Sequence, residues 1–428
     1  MKISGFIRQT WRLLRESPVL GFVSIFGTAL AIGLVTITFA SQRLIPEGNM
    51  YPAYKRSRML YYKKSQEKST ENEQTSSSSS VGLKLAQRIA ELTTPECVSI
   101  SEGYADSYPF RRAGEQRELT RFVLGTDANF WQVYDFDFVS GHPFTAEDVE
   151  AANRVIIIDE PTAHTFFGNE SAIGQELLVG FKPTRVIGVV KPVSSFISAV
   201  AANAWMPYSV AKSFMYAGEL RGPYKVEILA YKASDFPKIR KELDEVLSRY
   251  DAELAPRYIS RMDQPDELRA SLARVWSNVG PDMKQINREF YVSLILLFLI
   301  PGINLIVISH ARMRRRLQEL GVRKAFGATT SDLLWQVFQE SLVYTIVGAI
   351  LGIVLLVIAA YSMQSMFFES FASDMDGVVF SIPLSSILSW RVLLVAILSS
   401  FFLNASAMLI PAWQMARRDI VYSLSIKR

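Results

Sequence analysis

The 428-residue sequence has one cysteine, Cys97, and three histidines, His142, His164 and His310. A single cysteine excludes an intramolecular disulfide, so any exported portion must stand on its own core. The histidines lie in unrelated segments, and none has a neighbour at the spacing of H-E-x-x-H or C-x-x-C, which leaves no local zinc-type ligand set. Cys97 has no nearby basic partner to activate it as a nucleophile. The G-x-x-x-x-G-K-[ST] phosphate loop is also missing from these residues, so they do not supply a P-loop ATPase. Each histidine and the cysteine therefore reads as a structural or surface residue, and neither the motifs nor their spacing indicates an enzyme.

Charge is missing from four blocks, each long enough to cross a bilayer, which takes about 20 apolar residues. They run from Val19 to Gln42, Phe290 to Ser309, Ser341 to Tyr361 and Val392 to Gln414. Apolar residues make up 49% of the chain, close to a soluble average, yet the mean hydropathy is +0.16. Apolar residues are thus gathered into blocks beside an ordinary soluble portion. The first block is too long for a signal-peptide core, and no A-x-A cleavage site follows it.

Lys and Arg accumulate on the cytoplasmic flanks of membrane spans. Here they cluster before the first block (Lys2, Arg8, Arg12, Arg15), after the second (Arg312, Arg314, Arg315, Arg316, Arg323, Lys324) and in the tail (Arg417, Arg418, Lys427, Arg428). Between the third and fourth blocks stand Glu369, Asp374 and Asp376, with no basic residue before Arg391. Both termini are expected in the cytoplasm. The pI of about 9.1 then reflects this asymmetry and contact with anionic lipid, not nucleic acid.

The expected fold class is a membrane protein with four transmembrane α-helices and a large α+β extracytoplasmic domain inserted between spans 1 and 2. In order, the expectation is a cytoplasmic amphipathic helix over 1–18, span 1 over 19–42, the outer domain over 43–289 and span 2 over 290–309. A cytoplasmic loop follows over 310–340, then span 3 over 341–361, a short outer loop over 362–391, span 4 over 392–414 and a cytoplasmic tail over 415–428. Within the outer domain, Lys63–Ser80, ending in five serines, reads as a mobile low-complexity loop. Leu83–Leu92 and Pro161–Phe167 read as helices, and Arg121–Thr126 and Arg154–Asp159 as strands. Leu177–Gly180 and Thr184–Val190 read as a hairpin turning at Lys182 and Pro183. Ser234–Tyr250 reads as a helix with Lys238, Arg240, Lys241, Glu242, Asp244 and Glu245 on its wet face, and Asp266–Trp276 as another helix.

Polar and small residues inside the spans point to helix packing. Gly348 and Gly352 form a G-x-x-x-G pair that permits close helix approach. Pro301 with Gly302 removes a helical hydrogen bond and favours a kink. Asn304 and Asn404 are polar at membrane depth and read as bonds across helix interfaces, with substrate contact as the other reading.

The stretch Arg312–Gly352 reads RMRRRLQELGVRKAFGATTSDLLWQVFQESLVYTIVGAILG. It resembles the signature of MacB/FtsX-type ABC transporter permeases, the type VII ABC transporter family, through Glu319, Leu320, Gly321, Val322, Arg323, Lys324, Ala325, Gly327, Ala328 and Glu340. Asp137–Val190 carries Gly-His-Pro-Phe at 141–144, RVIIID, Phe167-Gly168, Ile173-Gly174 and Val186–Val190. It resembles the family's MacB-like periplasmic core domain, although the family usually has Arg where His142 stands. Residues 43–80 and 205–285 match least.

The resemblance implies a permease subunit in the bacterial inner membrane that pairs with a second permease copy or paralogue. It implies docking of a separate ABC ATPase, which binds ATP and Mg, on Glu319, Gly321, Val322, Arg323, Lys324 and Gly327. It implies no cofactor in this chain, and a periplasmic adaptor or hydrolase as a further partner. The implied output is export or efflux of a drug, peptide or lipoprotein-like substrate by motion of the outer domain. The alternative is FtsX-like activation of a cell-wall hydrolase.

Overall fold

The computed structural model describes residues 22–34 except 24 and 31, 55, 57–70, 77–193, 200–216, 220–274, 280–315, 322, 326–372 and 390–416. The expected amphipathic helix over 1–18 lies outside these residues, as do residues 417–428 of the tail expected over 415–428. The chain divides into two units: residues 1–43, 284–365 and 384–428 form one, and residues 44–283 with 366–383 form the other.

The second unit is α+β. Its strands are β1 (Met59–Tyr62), β2 (Lys64–Ser69), β3 (Ser77–Ser80), β4 (Cys97–Glu102), β5 (Asp106–Arg112), β6 (Glu118–Thr126), β7 (Phe138–Gly141) and β8 (Val155–Asp159). They continue as β9 (Glu176–Val179), β10 (Lys182–Val190), β11 (Ala204–Pro207), β12 (Tyr224–Leu229), β13 (Arg257–Ser260) and β14 (Asp266–Glu267). The helices are α1 (Leu83–Ala90), α2 (Phe130–Val133), α3 (Ala146–Glu150), α4 (Glu160–Phe167), α5 (Phe236–Leu254) and α6 (Leu268–Ala273).

The main sheet runs β11-β8-β10-β9-β5-β6-β4-β12-β1-β14, and β11 also pairs with β6. Strands β11, β8, β10, β9, β5 and β6 therefore close into a ring, which leaves those strands no open edge for foreign pairing. The RVIIID run explains how the ring is packed. Ile156 and Ile158 enter one core, with Phe110, Val186 and Met206, while Val155 and Ile157 enter another, with Phe130, Ile187 and Trp205. A strand buried on both faces needs a continuous apolar run, not an alternating one. Beyond the ring, α1 and α5 cover β4, β12 and β1. Leu85 and Ile89 of α1 join Ile239, Leu243, Val246, Leu247 and Tyr250 of α5 over Val98, Val226 and Leu60. The α5 spacing is that of one helical stripe, and each fully buried Leu, Ile or Val contributes about 1.5–3 kcal/mol.

Several expectations need correction. The described ends of Lys63–Ser80 are strands, not loop: β2 pairs antiparallel with β3 and with β13 in a separate three-stranded sheet, while residues 71–76 lie outside the described residues. Serines give no periodic signal, yet their backbones pair as well as any, with Lys64 opposite Ser80 and Glu67 opposite Ser77. The hairpin turn lies at Gly180 and Phe181, not at Lys182 and Pro183, which are already paired with Val179 and Leu178. Both turn residues have positive φ, 56° and 66°, as a two-residue hairpin of matching twist requires. Among the described residues of Asp266–Trp276 the helix spans Leu268–Ala273, because Asp266 and Glu267 pair with β1 instead; residues 275 and 276 lie outside the described residues.

Residues within 22–34 are helical in the first unit, which also holds most of three long helices: α7 (Met283–Arg315), α8 (Thr330–Ala372) and α9 (Trp390–Ala416). Among the described residues alone, no helix is long and apolar enough to cross a membrane.

Candidate functional site

The basic segment between α7 and α8 is the first candidate. Of the residues expected to dock an ATPase, Val322 and Gly327 are described, whereas Glu319, Gly321, Arg323 and Lys324 lie outside the described residues. Val322 is exposed, and its carbonyl accepts the Phe326 N–H at 3.0 Å. Phe326 is 88% exposed. Gly327 follows with φ +92°, the left-handed step that ends a helical turn and that glycine makes without strain. Thr329 and Asp332 then cap α8 reciprocally. The Asp332 carboxylate accepts the Thr329 N–H at 2.9 Å and its hydroxyl at 2.6 Å, while the Thr329 hydroxyl accepts the Asp332 N–H at 3.2 Å. Hydrogen bonds from the Thr329 hydroxyl and N–H hold the Asp332 carboxyl below the usual carboxylate range. The sequence GATTSD thus encodes a turn, a stop and a restart.

The second candidate is a helix junction in the same unit. A Cβ placed on Gly352 would lie 2.8 Å from the Ala29 carbonyl oxygen and 3.2 Å from Ala29 Cα. A Cβ on Gly348 would lie 2.7 Å from Thr28 Cβ. The glycine pair therefore abuts the backbone of the helical residues 25–32. Beside it, Asn404 Nδ2 donates to Thr345 Oγ1 at 2.9 Å and to Thr28 Oγ1 at 3.1 Å. Thr28, Thr345 and Asn404 are all buried, so one amide ties three helices together. Phe338 of α8 meets Phe401 of α9 edge-on at 5.6 Å. The side chains of Pro301 and Asn304 fall outside the description, and α7 is assigned as one helix through both positions. Sequence reading missed Thr28 and Thr345. A hydroxyl midway along an apolar run was the available signal, but nothing local says which amide it meets.

The stretches of the outer unit that resemble the periplasmic core domain prove to be geometric. Gly141 pairs with Gly188 across β7 and β10, with φ +77°, and a Cβ there would come within 2.8 Å of Gly188 Cα. No larger residue fits that contact. His142 is exposed, with Nδ1 2.9 Å from the Pro143 carbonyl oxygen. Cys97 is half-buried, and burial pushes its thiol up to about 11, which makes it a poor nucleophile at neutral pH. Among the described residues no group of His, Cys, Asp and Glu could hold a metal.

Buried charge was the feature least visible in the sequence. Lys225 and Glu227 of β12 pair at 2.7 Å and are almost fully buried. Glu227 also accepts from the Ser101 hydroxyl at 2.8 Å and the Tyr134 hydroxyl at 3.2 Å. Arg274 pairs with Asp266 at 2.5 Å, again buried. Asp127 accepts from Ser99, Ile100 N–H and Phe130 N–H, yet burial pushes its carboxyl up to about 7.

Comparison with known proteins accounts for both units. Residues 22–246 match the MacB-like periplasmic core domain, and residues 291–420 match the FtsX-like permease C-terminal domain. An ABC transporter permease, YknZ of Bacillus subtilis, is 24% identical over 85% of this chain and 84% of its own length. The macrolide export ATP-binding/permease protein MacB of Chromobacterium violaceum is 23% identical over 59% of this chain, and the match spans only 38% of that relative's length. Among solved structures, the periplasmic region of MacB from Actinobacillus actinomycetemcomitans aligns over 48% of this chain and 89% of its own, with 18% identity and a TM-score of 0.35. The extracellular domain of YknZ aligns over 46% of this chain and 99% of its own, with 18% identity and a TM-score of 0.34. With one family model on the outer unit and the other on the segment holding α7 to α9, the chain belongs to the MacB/FtsX-type family of ABC transporter permeases.

Proposed function

We propose that the chain is the permease subunit of an ABC transporter that converts ATP binding and hydrolysis in a partner ATPase into motion of its outer domain. Family membership implies the ATPase partner. The four uncharged blocks and the Lys/Arg asymmetry support four spans in the bacterial inner membrane, with both termini cytoplasmic, residues 43–289 periplasmic and the working form a dimer.

The observation that carries the mechanism is the continuity of α8. The Gly327 turn and the Thr329–Asp332 cap fix where that helix starts. From Thr330 it runs unbroken through Gly348 and Gly352, about 33 Å at 1.5 Å per residue. A push on the segment before the cap is therefore delivered along a stiff rod to the junction with residues 25–32 and Asn404. Exposed Val322 and Phe326 supply apolar anchors for the ATPase, and the flanking Glu319, Arg323 and Lys324 supply charge complementarity. The outer domain then moves because spans 1 and 2 enter it at both ends.

Charge reversal at the docking segment tests the proposal. Glu319→Lys and Arg323→Glu each remove a partner from an interfacial pair, at about 2–5 kcal/mol if the pair is buried on docking. That is roughly 30-fold or more in affinity. Co-purification of the ATPase should weaken while the permease still inserts. Unchanged co-purification and ATP turnover in both variants would make the segment a lipid anchor.

A further inference from the structure

A cleft of about 560 Å³ opens in the outer unit, lined by Glu102, Tyr104, Asp106, Lys212, Ser213 and Gly222, among others. Its size is that of a small-molecule site and exceeds the needs of a bare ion. Three local features build it. Glu102 closes β4 and Asp106 opens β5, so the short turn between them sets two carboxylates on one wall. Lys212 and Ser213 come from a 3-10 turn, Lys212–Tyr216. Gly125 makes room for the Glu102 side chain, because a Cβ there would lie 2.8 Å from Glu102 Cδ.

The Glu102 carboxylate is 2% exposed. One of its oxygens accepts the Gly125 N–H at 2.6 Å and the other accepts the Ser213 hydroxyl. Among the described residues no cation pairs with it: burial, with the like charge of Asp106 adding to it, raises its pKa. The lysine on the same cleft is committed elsewhere. Lys212 Nζ donates to the Ser107 carbonyl at 2.6 Å and sits 4.1 Å from the centre of the Tyr108 ring.

A second observation concerns a residue directly beside the cleft. Tyr224 is buried, its hydroxyl makes no hydrogen bond of ordinary geometry among the described residues, and it faces Ser213 and Glu102. A buried phenol without a proper partner is costly, and this one lies beside Ser213, which lines the cleft. On the open side, Tyr104 is 66% exposed, a ring face free to lie against a cation.

We propose that this cleft binds a small organic cation through a protonated primary amine seated between Glu102 and Asp106. An ammonium carries three N–H donors and no acceptor. Two of them match the carboxylates, and the third matches the Ser213–Tyr224 hydroxyls. Charge and shape agree, since the amine supplies the cation that the carboxylates lack and Tyr104 flanks its carbon chain. The site depends only on the outer unit's geometry, so it stands or falls separately from ATPase coupling.

The test is calorimetric titration of the full chain in detergent with 1,4-diaminobutane, and with succinate as a probe of opposite charge. The diamine should bind saturably, weaken as salt is raised, and lose at least tenfold in affinity in Glu102→Gln and in Asp106→Asn. Succinate should not bind. Glu102 is buried and its variant is checked by thermal unfolding; Asp106 is half-buried at the cleft wall, so Asp106→Asn decides the question if Glu102→Gln unfolds. Absence of saturable diamine binding below about 10 mM, or unchanged affinity in Asp106→Asn, overturns the assignment.

Discussion

Replacing Asn404 by alanine removes a side chain that joins three helices, and the structure sets the size of the effect. Its amide donates to Thr345 at 2.9 Å and to Thr28 at 3.1 Å. Hydrogen bonds between membrane helices average about 0.6 kcal/mol and reach about 1.7, so two give about 1–3 kcal/mol. The loss is not larger because a threonine hydroxyl can fall back on a carbonyl of its own helix. Loosening also reaches the glycine contact, since Thr28 is the residue packed on Gly348. Together with the small void left behind, Asn404→Ala should cost about 2–4 kcal/mol. Thr345→Val alone should cost about 1 kcal/mol. Because both variants break the same bond, the double variant should be less destabilised than their sum, with a coupling of about 0.5–1.5 kcal/mol. Equilibrium unfolding of the full chain in mixed micelles, titrated with dodecyl sulfate, measures all four corners of the cycle. Strict additivity, or a cost for Asn404→Ala below about 0.5 kcal/mol, would refute the three-helix tie.

Two further outcomes concern the outer unit. Lys225→Met leaves the Glu227 carboxylate buried with only hydroxyl partners, so it should destabilise by about 3–5 kcal/mol, and adding Glu227→Leu should recover most of that; thermal unfolding of the two variants checks it. Asp127, pushed up to about 7 by burial, holds a proton in the folded state that the unfolded chain releases near pH 4. Stability should therefore fall, by about 2–4 kcal/mol, as pH rises from about 4 through 7. Asp127→Asn should flatten that slope, and an unchanged pH profile in this variant would show that another group sets it.

What could be read in the sequence was what repeats or spells a local rule. RVIIID and the Thr184–Val190 run each hold an unbroken apolar stretch, 155–158 and 186–190, and became β8 and β10. The stripe from Ile239 to Tyr250 became the buried face of α5, with Lys238, Lys241, Asp244 and Glu245 left in water. The strands that escaped notice follow no such rule. β12 reads YKVEIL, whose alternating charges suggest a wet face, but Lys225 and Glu227 are buried and satisfy each other. The serines of β3 carry no hydropathy at all and pair only because Lys64–Glu67 lies opposite. The same limit applies to the candidate sites. G-x-x-x-G and GATTSD are local patterns, so close helix contact and a capped helix were legible. The cleft joins residues from 79 to 223, and no spacing within the chain announces that meeting.

The central claim is that ATP moves the outer domain, and a distance across the proposed dimer tests it most directly. Lys241 is exposed on α5, so a spin label on Lys241→Cys, in a Cys97→Ser background, reports the separation of two copies by pulsed dipolar spectroscopy. A label on Glu147→Cys, exposed on α3, supplies an independent vector. With the partner ATPase bound, the account predicts different distance distributions in the nucleotide-free state and in the state trapped with ATP and Mg. It predicts that Glu319→Lys, which uncouples the ATPase, abolishes that difference. Identical distributions in both nucleotide states at both positions would contradict it.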